Sequence, residues 1–261
     1  MNPISPRVLL VRGMLAGLLA GVAAFLVAYV LGESKVDAAI AIEEAGHAAH
    51  DHAEEAAPVS RALQATAGLG TGTLLYGIAL GGIAALVFCY ALGRIGRFGP
   101  RVTALLVSGG LFVALNLVPF LKYPSNPPAV GDPDTVVRRT TLYVLMIALS
   151  VLLSAAALIL GRRLAPKLGN WNASIVASVA FVVAVAVAYA SLPGINEVPA
   201  DFPAALIWQF RLATLAIQAV MWTTFGLAFG VLAERSLTPA AAPPPGSAAR
   251  ELTPSPATPR P

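Results

Sequence analysis

Six stretches of this 261-residue chain are each long and apolar enough to cross a lipid bilayer. A crossing takes roughly 20 apolar residues to cover a hydrocarbon core of about 30 Å. The stretches lie at about residues 13–31, 69–92, 102–121, 141–160, 173–192 and 212–233. Inside lipid every backbone N–H and C=O needs a partner within the protein, which leaves helices and closed barrels as the spanning forms. Runs this long and this continuous suit helices. The expected fold is therefore all-α, an integral membrane bundle of about six transmembrane helices. A long outer loop rich in histidine and acid joins the first two. Charged residues are only 11% of the chain, against about 25% in soluble domains. The first stretch reads as a retained helix and not a cleaved signal. It is long, it lacks a small-x-small cleavage site near its end, and five more spans follow.

Six crossings put both ends of the chain on one side. Eleven of the 17 lysines and arginines gather there: Arg7, Arg12, Arg94, Arg97, Arg101, Arg162, Arg163, Lys167, Arg235, Arg250 and Arg260. The other side holds Lys35, Arg61, Lys122, Arg138, Arg139 and Arg211. The richer side should be cytoplasmic. Segments 32–68, 122–140 and 193–211 then face outward. The same asymmetry accounts for the pI near 9.5, since the basic residues form no patch suited to nucleic acid. Residues 1–235 make up the membrane domain. Residues 236–261, rich in Pro, Ala and Ser, cannot bury a core and are expected to form a disordered cytoplasmic tail. The single cysteine, Cys89, allows no internal disulfide. No nucleotide-binding motif and no nucleophile–base constellation is visible, so an enzyme is not expected.

Small residues recur at helical spacing. Gly13, Gly17 and Gly21 share one face, and Gly77/Gly81 and Gly226/Gly230 repeat the interval. Such spacing lets helix backbones approach closely in lipid. It fits internal packing or dimerisation. The two later outer segments also echo each other. "LVPFLKYPSNPPAVGDPDTVVRR" and "SLPGINEVPADFPAALIWQFR" each leave a helix through Leu and Pro, pass several prolines and an Asp, and end at Arg. A parallel repeat of hairpins is one explanation, and chance likeness of two Pro-rich loops is the other.

The first outer segment carries the chemistry. "EEAGHAAHDHAEEAA" holds all three histidines of the chain, His47, His50 and His52, with Asp51 between two of them and Glu43, Glu44, Glu54 and Glu55 around them. Imidazole with carboxylate suits borderline divalent ions, and the lack of thiolates argues against Cu(I). His47, His50 and His52 are the candidate ligands, with Asp51 and Glu54 assisting. The local negative charge would concentrate cations at the membrane surface. A solvated loop with idle histidines and a pH-sensing loop are the alternatives.

Several polar residues lie near the outer ends of the spans. Arg138, Arg139 and Arg211 sit where outer segments meet helices, as interfacial anchors or as a gate. Asn116, Gln209 and Gln218 could bond between helices or touch a passing ion. Pro119 and Pro193 are expected to break helices near the outer face, freeing carbonyls. Asn116, Pro119, Arg138, Arg139, Pro193, Gln209 and Arg211 are thus the candidate pathway or gate. No span contains Asp, Glu or His in its middle.

An N-terminal span, a His-rich acidic outer segment and then Pro-x-x-Arg-x-Leu resembles the CbtA family of predicted bacterial cobalt transporter subunits. The residues are "HAAHDHAEEAAPVSRAL", with Pro58 and Arg61. The closing segment "VPADFPAALIWQFRLATLAIQAVMWTTFGLAFG" is similar to the family's last hairpin, and "LVPFLKYP…PP…RR" to its middle one. The likeness covers about residues 7–235. Ala56 and Ala57 stand where the family often has Trp, and "RRTTLY" lacks its Gln and Trp, which leaves the roles of Arg138 and Arg139 open. The resemblance implies uptake of cobalt at the bacterial inner membrane, linked to cobalamin synthesis. It also implies a small single-span partner with its own histidines. Cobalt would be the cargo, with no tightly bound cofactor. A metal-binding accessory or sensor subunit that does not conduct is the alternative.

Overall fold

In the computed structural model of the chain, the described residues are 6–48, 59–128 and 130–237. Among them the structure is helical throughout, without strands. Five helices are long and apolar enough to span a membrane: α1 (Pro6–Gly46), α2 (Arg61–Ala91), α3 (Pro100–Lys122), α4 (Pro133–Ser191) and α5 (Ala204–Leu237).

Helix α4 is 59 residues long. As a straight rod it would reach about 90 Å, three times a hydrocarbon core. It is not straight. Gly169 adopts φ +75° and ψ 160°, outside helical space, a conformation open to glycine because it has no Cβ. Pro166 removes a backbone donor just before this point. The two arms then run back along each other. A Cβ placed on Gly161 would lie 3.3 Å from the Cβ of Ala177, although sixteen residues of straight helix cover about 24 Å. Met146 and Val185, one from each arm, share a core with Val118 and Tyr123. The two apolar stretches expected at 141–160 and 173–192 are the arms of this folded helix.

Helices α1, α2, α3 and α5 form the tightest part of the molecule. The glycine face of α1 lies directly on the glycine face of α2. A Cβ on Gly13 would stand 2.6 Å from the Gly81 carbonyl oxygen, and one on Gly21 would stand 2.7 Å from that of Thr73. Gly17 faces Gly77 more closely still. The obstacle is backbone, joined at Gly13 by the Ala85 Cβ, and neither can swing aside. The repeated glycine spacing in α1 and α2 therefore serves packing within the chain. Phe88 of α2 meets Phe229 of α5 edge-on, with ring centroids 5.0 Å apart, and Phe225 stacks on Phe229 at 5.3 Å. Ser108 of α3 donates to the Trp222 carbonyl of α5. Arg12 reaches the Leu232 carbonyl at 2.6 Å, and Arg101 pairs with Glu234 at 2.6 Å. The two described ends of the chain thus lie at one end of the bundle. Helix α5 continues to Leu237, with Ser236 bonded to Arg12, so the first two residues assigned to the tail belong to the membrane domain. Residues 238–261 lie outside the described residues.

The largest departure from the sequence reading concerns segment 32–68. The helical backbone of α1 runs on through a π turn at Ala28–Gly32 and then from Glu33 to Ala48. Helix α2 begins at Arg61. Between Gly32 and Gly46 the chain has neither Pro nor Gly, and alanine and glutamate abound; both are good helix formers. Pro119 also departs from expectation. It is buried inside α3 and does not break it. The π turn at Val113–Leu117 just before it takes up the missing backbone bond.

Replacing Gly17 by Leu should open the α1–α2 seam and destabilise the folded protein by about 2–3 kcal/mol. Gly109→Leu, where the added side chain meets open space, should change little. Thermal unfolding of both variants in detergent, followed by loss of monodisperse protein, checks this; equal melting temperatures would contradict the packing role.

Candidate functional site

The C-terminal end of α3 and the N-terminal parts of α4 and α5, with segments 123–132 and 192–203, line a cavity of about 400 Å³. Helix α5 supplies one wall as a stripe. Arg211, Thr214 and Gln218 follow at intervals of three and four and so share a face. Asn116 of α3 lies at the inner part of the wall. Its Oδ1 accepts a 2.7 Å hydrogen bond from Trp222 Nε1, both groups being buried. Asn116 thus ties α3 to α5 and also lines the cavity. The Gln218 Oε1 is buried and has no hydrogen-bond partner among the described residues.

Glu197 joins segments 123–132 and 192–203. Its Oε2 pairs with Arg139 Nη1 at 3.2 Å and accepts from the Asp132 N–H at 3.2 Å. Its Oε1 accepts from the Thr135 hydroxyl at 2.5 Å. One carboxylate therefore holds the start of α4 against the segment that leads into α5. Arg211 is held differently. Its Nη2 donates to Asn126 Oδ1 at 2.9 Å and its Nε to the Ser125 carbonyl at 3.4 Å. Neither partner is charged, and no carboxylate pairs with Arg211 among the described residues.

The end of α4 is capped by side chains from α3. Lys122 Nζ donates to the carbonyls of Tyr189 and Leu192 at 2.7 and 2.9 Å. Tyr123 donates its hydroxyl to the Pro193 carbonyl at 2.9 Å. Burial pushes the Tyr123 phenol above its ordinary pKa, opposed by the nearby charge of Arg138, so the phenol stays a donor at neutral pH. The carbonyls that Pro193 frees are thereby taken.

The sequence-predicted residues separate into groups. Asn116, Arg139 and Arg211 come together on the cavity wall. Pro119 is buried and outside the lining. Arg138 and Gln209 are exposed and outside the lining, as is Pro193. His47 lies at the end of the α1 extension as part of its helical backbone. His50, Asp51, His52 and Glu54 lie outside the described residues. Among the described residues no three His, Cys, Asp or Glu side chains gather where they could hold a metal. The sequence reading missed Glu197, Asn126 and Thr214. Glu197 had one signal: it is the only carboxylate between Leu192 and Pro199, close to the arginines of the other outer segment only once the chain has folded.

The α1 extension joins the shell of this cavity. Ala39 is fully buried against Val130, Phe202 and Ile207, with Val198 packed beside them. Val130 and Val198 also line the cavity. Arg61 at the start of α2 bonds Asp37 at 3.0 Å and pairs with Glu33, which holds the extension to α2. Eight residues of helix from Ala39 place the His47 backbone about 12 Å beyond the packed level.

The model of the CbtA family, described as a probable cobalt transporter subunit, matches residues 7–234. No curated protein and no solved structure matches.

If Glu197 clamps the two outer segments, Glu197→Gln and Arg139→Met should each lower stability. The double variant should lose about 1 kcal/mol less than the sum, because the pair is partly buried. A double-mutant cycle on thermal or denaturant unfolding measures the coupling, and strict additivity would remove the clamp.

Proposed function

This chain belongs to the CbtA family of probable cobalt transporter subunits, and on that premise we propose that it captures Co²⁺ outside the membrane and delivers it to the cavity. His47, His50 and His52 would capture the ion, with Asp51 and Glu54 assisting. Imidazole and carboxylate together suit such a borderline ion. Asn116, Thr214 and Gln218 line the cavity the ion would reach next. The observation that carries this reading is the shared apolar cluster. Ala39 of the α1 extension belongs to the buried cluster that includes Val130 and has Val198 packed against it, and both valines also line the cavity. A change in the extension on binding metal would therefore press on the cavity wall.

The same reading takes the two arms of α4 as separate crossings, which makes six in all. It places both ends of the chain in the cytoplasm, on the side rich in Lys and Arg, and sets the protein in the bacterial inner membrane. The exposed apolar faces of α4, including Val137, Leu152, Val182 and Val187, would then face lipid. No catalytic role is assigned. The family description names a subunit, which favours action with a second component, such as a small membrane protein with histidines of its own.

Purified protein in proteoliposomes should take up radioactive Co²⁺, and the triple change His47→Ala, His50→Ala and His52→Ala should lower the initial rate at least about tenfold. Uptake unaffected by the triple change would sink the capture role. Co²⁺ binding without uptake would make the chain a capture subunit that needs its partner to conduct.

A further inference from the structure

The charge on the cavity wall does not suit a bare divalent cation. Three charged side chains line it: Arg139, Glu197 and Arg211. Glu197 and Arg139 neutralise each other through their 3.2 Å ion pair. Arg211 is left as a positive charge bonded only to neutral groups, and its Nη1 donates to nothing among the described residues. Arg138 stands close enough to the mouth to act on Tyr123 and adds to the positive field. Asp132 and Asp134 are exposed and outside the lining. Hydrogen-bonding groups continue inward from Arg211, with Thr214 and then Gln218 on the same face. Gln218 lines the cavity, with its Oε1 turned away from the open space and buried.

We propose that this cavity binds a small carboxylate anion, with the Arg211 guanidinium on the carboxylate. A planar fork with unused N–H donors matches the two oxygens of a carboxylate. The carboxylate has two possible sources, a free acid or an acid that already chelates the metal. A chelate would bring Co²⁺ into the cavity with its charge offset. The site is defined by binding and stands whether or not the chain conducts cobalt alone.

The test is isothermal titration of the whole protein in lipid nanodiscs at constant ionic strength. Citrate alone is one titrant and citrate premixed with equimolar Co²⁺ is the other. Saturable binding of either should weaken at least about tenfold in Arg211→Gln, since a charged hydrogen-bond donor is lost. It should be unchanged in Arg163→Gln, at the opposite end of α4's first arm. Binding of citrate alone identifies the free acid as ligand, and binding only with Co²⁺ identifies the chelate. Should Arg211→Gln not fold, Arg211→Lys keeps the charge without the fork and should weaken binding about threefold to tenfold. Absence of saturable binding for both titrants, or equal affinity in the Arg211 variants and the parent chain, overturns the proposal. Histidine variants that lose cobalt uptake yet keep citrate binding would show that the two sites act separately.

Discussion

Backbone contact between α1 and α2 sets the geometry on which the other elements depend. Lipid offers helices no hydrophobic gain on association, so packing must come from close fit. Gly13, Gly17 and Gly21 let α1 settle onto the backbone at Gly81, Gly77 and Thr73, with only the small Ala85 methyl beside Gly13. Once seated, α1 presents Ala16, Ala20 and Ala24 to a core shared with Phe88, Trp222, Phe225 and Phe229. These small residues keep the bundle narrow, and the aromatic rings of α2 and α5 fill the space that remains. The same registration points the far end of α1 along α5. That is why Gly32 comes near Ile217 and Ala39 near Ile207.

A second unit, the folded α4, joins this bundle through few contacts. Its arms pack on the end of α3 at Val118 and Tyr123, and their tips are tied by Lys122, Tyr123 and Glu197. Polar groups gather where the two units meet, and the cavity lies there. A handful of side-chain contacts joins the hairpin to the bundle, whereas backbone contact joins α1 to α2.

The apolar stretches were legible because lipid demands them. Each expected span corresponds to part of a helix, and the small-residue intervals in α1 and α2 mark the contact they make. What the sequence hid depends on tertiary context. The α1 extension looked like a loop because Glu33, Lys35, Asp37 and Glu43 are polar; polarity ruled out lipid, but it did not rule out helix. Pro119 looked like a break, yet a π turn upstream lets the helix continue. Pro166 and Gly169, which turn the chain between the two arms of α4, were not singled out from the sequence. Of the candidate pathway residues, Asn116, Arg139 and Arg211 gather on one wall. Their partners Trp222, Glu197 and Asn126 are 106, 58 and 85 residues away in sequence, beyond any local pattern.

The paired and unpaired arginines on the wall differ in consequence. Arg139 spends its charge on Glu197 and acts as structure. Arg211 keeps its charge facing the cavity. At about 5 Å and an effective dielectric near 20, a divalent cation beside one such charge is opposed by roughly 7 kcal/mol, more than the neutral oxygens of Asn116, Thr214 and Gln218 would readily offset. Water filling the cavity lowers this figure, and a bound anion reverses its sign. A path for metal through this wall therefore has to change the electrostatics at Arg211 in one of those ways. The neutral anchors of that side chain, Asn126 and Ser125, belong to the same outer segment that Val130 links to the α1 extension. Movement of the extension would thus be felt first at the residue whose charge most opposes entry of the cation.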